Sequence, residues 1–239
     1  MLFRSSLFGS EGEKVENDHI AFRTFNDPRI NIEVLSKLFL QCGYEPCGTY
    51  YFEEKKLNAV HFENKKIPNS PKVFISELIL ENFSPFLQKT IRDTINQVLD
   101  KELNHNELIF NGKIWGKPDF ETYQKLREES EYAAWVYVFG FRANHFTVSV
   151  NSLKKFDTVE KVNSFLKKNG FVLNSSGGEV KGSPKELLEQ SSTLADIAEI
   201  EFMDGNHKIP ACYYEFAKRY PGPDGDRKST RLNSSHRIR

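Results

Sequence analysis

Cysteine is scarce in this chain: three in 239 residues (Cys42, Cys47 and Cys212). An odd number with no metal-ligand pairing argues against a disulfide framework or a zinc-ribbon pattern and fits a reducing, cytoplasmic setting. No apolar run approaches the ~18 residues of a membrane span, which excludes a transmembrane helix and any membrane partner reached through one. The opening MLFRSSLFGSEGEK lacks the sustained apolar core and cleavage site of a signal peptide. An excess of charge of one sign is also missing, with 33 basic and 33 acidic residues. What the chain does have is a globular composition, 38% hydrophobic and 28% charged, with 20 phenylalanines to fill an interior. Its length predicts one or two domains and burial of roughly 70% of the unfolded surface.

Residues 226–239, DRKSTRLNSSHRIR, stand apart. They read as a basic disordered tail, and the string DRKSTRLNSSH resembles the translation, in one frame, of a common sequencing-library adapter. The expectation is an artefactual or disordered tail in place of the natural C-terminus, and it is excluded from the functional reading. Five of the basic residues and one of the acidic residues lie there, so the remaining chain carries four more acidic than basic groups. With no basic stripe either, a nucleic-acid partner is disfavoured.

Periodicity divides the rest into two similar modules. Asp18 to Phe25 alternates as a strand, Asn31 to Cys42 has helical spacing ending at Gly43, and strand-like runs follow at 48–53, 57–63 and 72–80. Helices are predicted over 85–104 and 119–130, while 133–139 suits helix or strand equally. Then come a strand at 144–150, a helix at 157–169 with Asp157 as N-cap, short strands at 171–174 and 178–181, and a helical insert at 184–190. Strands at 197–203 and 209–217 close the chain. The predicted fold is α+β: two βαβββ modules forming a half-open barrel, with a helical insert between them. The expected organisation is a single catalytic domain over 1–225, with module one about 15–82, the insert about 83–132 and module two about 133–221.

Each module opens with an acidic or amide residue followed by histidine, Asp18-His19 and Asn144-His145. Each carries a glutamate in an otherwise apolar last strand, Glu77 and Glu215. A carboxylate placed in that way is costly to bury unless something pairs with it. Facing half-barrels would let His19, His145 and one glutamate converge, giving two imidazoles and a carboxylate on one face of a metal with open positions for substrate and oxygen. Taken singly, each residue has a plainer role. A strand histidine is ordinarily a hydrogen-bonded core or surface residue, Glu215 has Lys218 and Arg219 nearby as surface partners, and Glu77 suits a solvent-facing position. His61, His105 and His207 sit in polar or turn-rich surroundings and read as surface residues. Arg23, four residues after His19, points to the same face. It suits a substrate carboxylate gripped bidentately, or an ion pair in the barrel wall.

The run Asp18-His19-Ile20-Ala21-Phe22-Arg23-Thr24-Phe25 resembles the His-x-Ala-x-Arg-Thr opening of the 2-oxoadipate dioxygenase/decarboxylase family, also called hydroxyglutarate synthases. Ser76-Glu77-Leu78, Asn144-His145-Phe146-Thr147 and Tyr213 to Tyr220 are similar to further blocks of that family, so the resemblance spans about residues 15 to 221. It implies a vicinal oxygen chelate-like fold, an Fe(II) cofactor, and conversion of 2-oxoadipate and O2 to 2-hydroxyglutarate and CO2 in lysine degradation. It also implies His19, His145 and Glu215 as metal ligands that meet the substrate, with Glu77 as second choice for the carboxylate, and Arg23 as the catalytic, substrate-holding arginine. The adapter-like tail replaces a C-terminal segment that, in the family, helps close the site. A metal-dependent isomerase or lyase of the same superfamily is the alternative enzyme, and a non-catalytic module binding a small ligand is the alternative outside catalysis.

Overall fold

Strand β1 (Asn17–Phe25) is rich in β-branched and aromatic residues, and its burial makes it an interior strand. A computed structural model describes residues 7–67, 69–103 and 106–222. His105 and the tail 226–239, with His236, lie outside the described residues. By its contacts the chain divides into two compact units. One holds residues 21–144 and 196–211; the other holds residues up to 20, 145–195, and those from 212 onward. No helix among the described residues is long and apolar enough to cross a membrane.

The unit of residues 21–144 and 196–211 contains α1 (Ile32–Gln41), β2 (Glu45–Phe52), β3 (Leu57–Glu63) and β4 (Lys72–Leu78). Its strands run β2-β3-β4-β1, with α1 packed on β3 and β4. Asn31 starts α1 by accepting from the Val34 N–H. Helix α2 (Pro85–Asn96) is capped by Ser84 and stops earlier than the periodicity predicts; a separate turn of helix covers Asp100–Leu103, and Leu99 between them is exposed. Helices α3 (Phe120–Glu129) and α4 (Glu131–Phe139) are divided by Ser130, which ends the first in extended geometry and caps the second through the Ala133 N–H. The ambiguous stretch 133–139 is therefore helical and buried all round. Gly140 ends it at φ 63°, where a Cβ would come within 2.4 Å of the Gly112 carbonyl oxygen. A hairpin of β8 (Ile197–Phe202) and β9 (Gly205–Pro210) also belongs to this unit.

The other unit contains β5 (His145–Ser149), α5 (Val159–Lys168), β6 (Lys181–Ser183), β7 (Leu188–Ser192) and β10 (Tyr213–Arg219). Its order, β5-β10-β7-β6, is the first-last-third-second order of β1-β4-β3-β2. The two modules thus share one topology. Five details differ from expectation. The strand expected at 171–174 is a single bridge, Leu173 with Thr193. The N-cap of α5 is Thr158, not Asp157, with its hydroxyl accepting from Lys161 N. The predicted helix at 184–190 is a single tight turn, Pro184–Glu186, closed by Leu187 at φ 59° between β6 and β7. The strand at 197–203 joins the β8–β9 hairpin and not the module's sheet. The last predicted strand is two, β9 and β10. In this unit Val148, Tyr214 and Phe216 enter an apolar cluster with Val159, Val162 and Leu166 of α5. Alternation then sends His145, Thr147 and Glu215 to the opposite face.

Asp27, at the turn after β1, is buried and accepts from the Arg29 backbone N–H and from Arg29 Nε and Nη2 at 2.8–3.0 Å. Burial pushes its carboxyl up, but the Arg29 hydrogen bonds and charge outweigh that and hold it below its ordinary value. A lowered folded-state pKa contributes stability that is present above the unfolded value and lost as pH falls through the folded one. Asp27→Asn is expected to cost about 1–2 kcal/mol at pH 7, mostly through hydrogen bonds because Arg29 is partly exposed. Urea titrations at pH 7 and pH 3 should show the gap from wild type narrowing at the lower pH.

Candidate metal centre

Three strands of one unit supply the centre. β10 runs parallel to β5 with Tyr213 opposite His145 and Glu215 opposite Thr147, and the first residues of β1 bring Asp18 and His19. One donor atom from each of His19, His145 and Glu215 lies within 4.8 Å of the others. The His19 and His145 rings meet edge to face with centroids 5.6 Å apart, and His145 stacks on Tyr213 at 4.7 Å. His19 and Glu215 are buried while His145 is partly open.

The neighbours fix how these groups point. His19 Nδ1 lies 2.8 Å from Asp18 Oδ1. A carboxylate there keeps the proton on Nδ1 and leaves the Nε2 lone pair directed inward. Nε2 is 3.0 Å from Thr147 Oγ1 and 3.5 Å from Glu215 Oε1. Asp18 in turn accepts two bonds of 2.7 Å from Arg219 Nε and Nη2. Burial pushes the Asp18 carboxyl up, but the charge and hydrogen bonds of Arg219, with His19, overcome it and hold the group far below the ordinary carboxylate range. Asn151 clamps the Arg219 backbone, donating to its carbonyl at 3.0 Å and accepting from its N–H at 2.8 Å.

Glu215 Oε1 accepts from Gln190 Nε2 and, at 3.3 Å, from Thr147 Oγ1. Burial raises its pKa, opposed by His19 and these two donors and reinforced by Asp18. A carboxylate in this setting gains by coordinating a cation. Two imidazoles and one carboxylate converging on one point suit a divalent transition metal that keeps positions free for other ligands. The residues therefore fit a metal.

The other sequence candidates are placed as follows. Glu215 does not pair with Lys218, whose Nζ bonds the Asp157 carbonyl, nor with Arg219, which is engaged by Asp18. Glu77 accepts from the Ile32 N–H at 3.0 Å and from Asn58 Nδ2 at 3.4 Å, so it serves the start of α1 and is not in the histidine cluster. Arg23 lies over the rings of Tyr132 and Trp135, at 4.9 and 5.5 Å from their centroids, and among the described residues no carboxylate pairs with it. His61 is buried, not at the surface, and His207 is half-buried, stacked on Phe120 at 3.6 Å.

Sequence reasoning missed Asp18 as a partner of His19, along with Thr147, Gln190, Ser192 and Arg219. Ser192 faces Glu215 in register, fully buried, and its hydroxyl has no partner among the described residues. The alternation of β10 puts Arg219 on the face of Glu215, and this is the one signal that could have found it.

Comparison with known proteins gives consistent matches. The family model for 2-oxoadipate dioxygenase/decarboxylase matches residues 5–228. The chloroplastic/amyloplastic 2-oxoadipate dioxygenase/decarboxylase of Oryza sativa subsp. japonica is 39% identical over 241 residues, covering 95% of this chain and 66% of that protein. The chain thus spans just under two thirds of that relative's length. Among solved structures, a protein of Shewanella frigidimarina provisionally named a hydrolase is 51% identical with a TM-score of 0.85, covering 93% of this chain and 91% of that one. Hydroxyglutarate synthase from Oryza sativa, solved in complex with 2-oxoadipate, is 37% identical with a TM-score of 0.84, covering 92% and 76%. A protein from Ralstonia eutropha, provisionally named as glyoxalase superfamily, is 21% identical with a TM-score of 0.76 over 90% and 76%, which shows a shared fold. The α+β, vicinal oxygen chelate-like class expected from the sequence is the class of these structures.

Proposed function

This chain belongs to the 2-oxoadipate dioxygenase/decarboxylase family, and from that premise we propose that it converts 2-oxoadipate and O2 to 2-hydroxyglutarate and CO2 with Fe(II) as cofactor. The observation that carries the reading is the convergence of His19, His145 and Glu215 donors within 4.8 Å. Bound iron would supply the oxygen chemistry, with the 2-oxo acid giving up CO2 and both oxygen atoms of O2 accounted for in the two products. The protein's part is positioning. His19 presents Nε2 because Asp18 holds the Nδ1 proton, and His145 presents its ring from the stack on Tyr213. Glu215 is kept in place by Gln190 and Thr147 and offers the negative charge that balances part of the metal's. Thr147 stands beside both His19 and Glu215 and holds them in register.

Arg23 is the residue we assign to the substrate. It follows His19 by four positions in β1, with its guanidinium on the faces of two aromatic rings and no ion-pair partner among the described residues. A planar fork held on aromatic faces is set for a carboxylate. Gripping the acid there would orient it, and positioning of this kind lowers a barrier by several kcal/mol. Arg23→Lys is expected to raise KM for 2-oxoadipate by roughly 10–100-fold, the ~1–3 kcal/mol of a lost bidentate charged contact, with smaller change in kcat.

The deciding experiment is simultaneous measurement of O2 uptake and CO2 release from 2-oxoadipate by the Fe(II)-loaded protein. Equal amounts of each are expected, with no 2-oxoglutarate added. Turnover that continues unchanged without air would instead favour the isomerase or lyase chemistry of the superfamily. Cys42 and Cys47 are free thiols, and a reducing, cytoplasmic location suits both them and ferrous iron.

A further inference from the structure

A second set of metal donors lies in the other unit, on β2 and β3. The pairing of these strands passes from Pro46 opposite Phe62 to Gly48 opposite His61, so Cys47 has no partner across the ladder. Such a bulge bends the strand and redirects the side chain it carries. His61 and Glu63, two residues apart on β3, share a face. One donor atom from each of Cys47, His61 and Glu63 lies within 4.8 Å of the others. Gly48 makes room for the ring: a Cβ there would stand 2.8 Å from His61 Cε1 and 2.9 Å from Nδ1.

The imidazole is buried and held at both nitrogens. Nδ1 is 2.9 Å from the Tyr50 hydroxyl, and Nε2 is 3.2 Å from Glu63 Oε1. Either nitrogen can carry the proton; when Nδ1 carries it and donates to Tyr50, Nε2 presents its lone pair beside the Glu63 carboxylate, an arrangement that a cation can bridge. Lys72 Nζ already pairs with Glu63, which shows that the place attracts positive charge. Cys47 is exposed and gives access from solvent.

We propose that Cys47, His61 and Glu63 form a second metal site, for a thiophilic divalent cation such as Zn2+. One thiolate, one imidazole and one carboxylate are a normal zinc set, and three protein ligands leave a fourth position to water. Tyr50 is the outer partner that orients the imidazole. Binding releases the Cys47 thiol proton, since only the thiolate coordinates, and displaces the Lys72 ammonium from Glu63.

Cobalt(II) titration of the whole chain tests this without reference to activity. A thiolate-to-cobalt charge-transfer band distinguishes this site from the centre of His19, His145 and Glu215, which includes no sulfur. The band is expected in the wild type and in Cys42→Ser, and absent in Cys47→Ser, whose exposed position spares the fold. Lys72→Met, which removes the competing ammonium, is expected to tighten cobalt binding about tenfold. No band in the wild type, or a band that survives Cys47→Ser, overturns the proposal.

Discussion

His19→Ala is expected to lower both bound iron and 2-oxoadipate turnover by more than 100-fold. The size follows from a comparison. Losing an outer partner of a metal ligand typically costs 10–100-fold in affinity or activity, and removing a ligand outright costs more. The substitution also leaves Glu215 buried with one fewer neighbour to offset its burial, so some destabilisation accompanies it. Iron content by elemental analysis, thermal unfolding and O2 uptake should therefore be measured together. A folded variant that retains iron and rate would remove His19 from the ligand set and with it the reading of the centre. Glu77→Ala is the matching control. Its carboxylate serves Ile32 N and Asn58, so iron content should hold while stability falls by about 1 kcal/mol.

The elements that alternation or caps define were legible before the fold was known. β1, β3, β4 and β10 carry strong apolar patterns, and Asn31 and Ser84 sit where helices begin. The misread segments have local sequences that favour another structure. Pro184 to Leu188 contains good helix formers, yet Leu187 in a left-handed conformation closes the turn and β7 begins at once. Asp204-Gly205 correctly signals a turn, but nothing in Ile197 to Phe202 says which sheet the strand will join. His61 was legible in principle, because it shares a face with Leu57 and Ala59, both buried.

The centre divides in the same way. His19 and His145 stood out by their equivalent places in two modules, as did Glu77 and Glu215, and only the family resemblance favoured Glu215. The groups that hold them did not, since Asp18 and Arg219 are 201 residues apart and Gln190 is 25 residues from Glu215. Hydrogen bonds across such separations leave no periodic trace in a single sequence.

Arg219 is the residue whose loss should disturb the fold most. It is 5% exposed at the side chain, against 7% for Asp18, and makes a two-bond fork to that carboxylate. Replacing one partner of a buried pair strands the other, at a cost of about 3–5 kcal/mol. Arg219→Met is accordingly expected to lower the unfolding free energy from urea titration by that amount and to weaken iron binding about 10–100-fold, because Asp18 would no longer be anchored to orient His19. The double variant Asp18→Asn with Arg219→Met removes both charges and should recover part of the stability lost in Arg219→Met. Iron affinity should not recover, since the asparagine side chain lacks the charge that fixes the imidazole proton. If the double variant is as unstable as the sum of the singles, the pair is not coupled, and the route from Arg219 through Asp18 to His19 is broken at its first step.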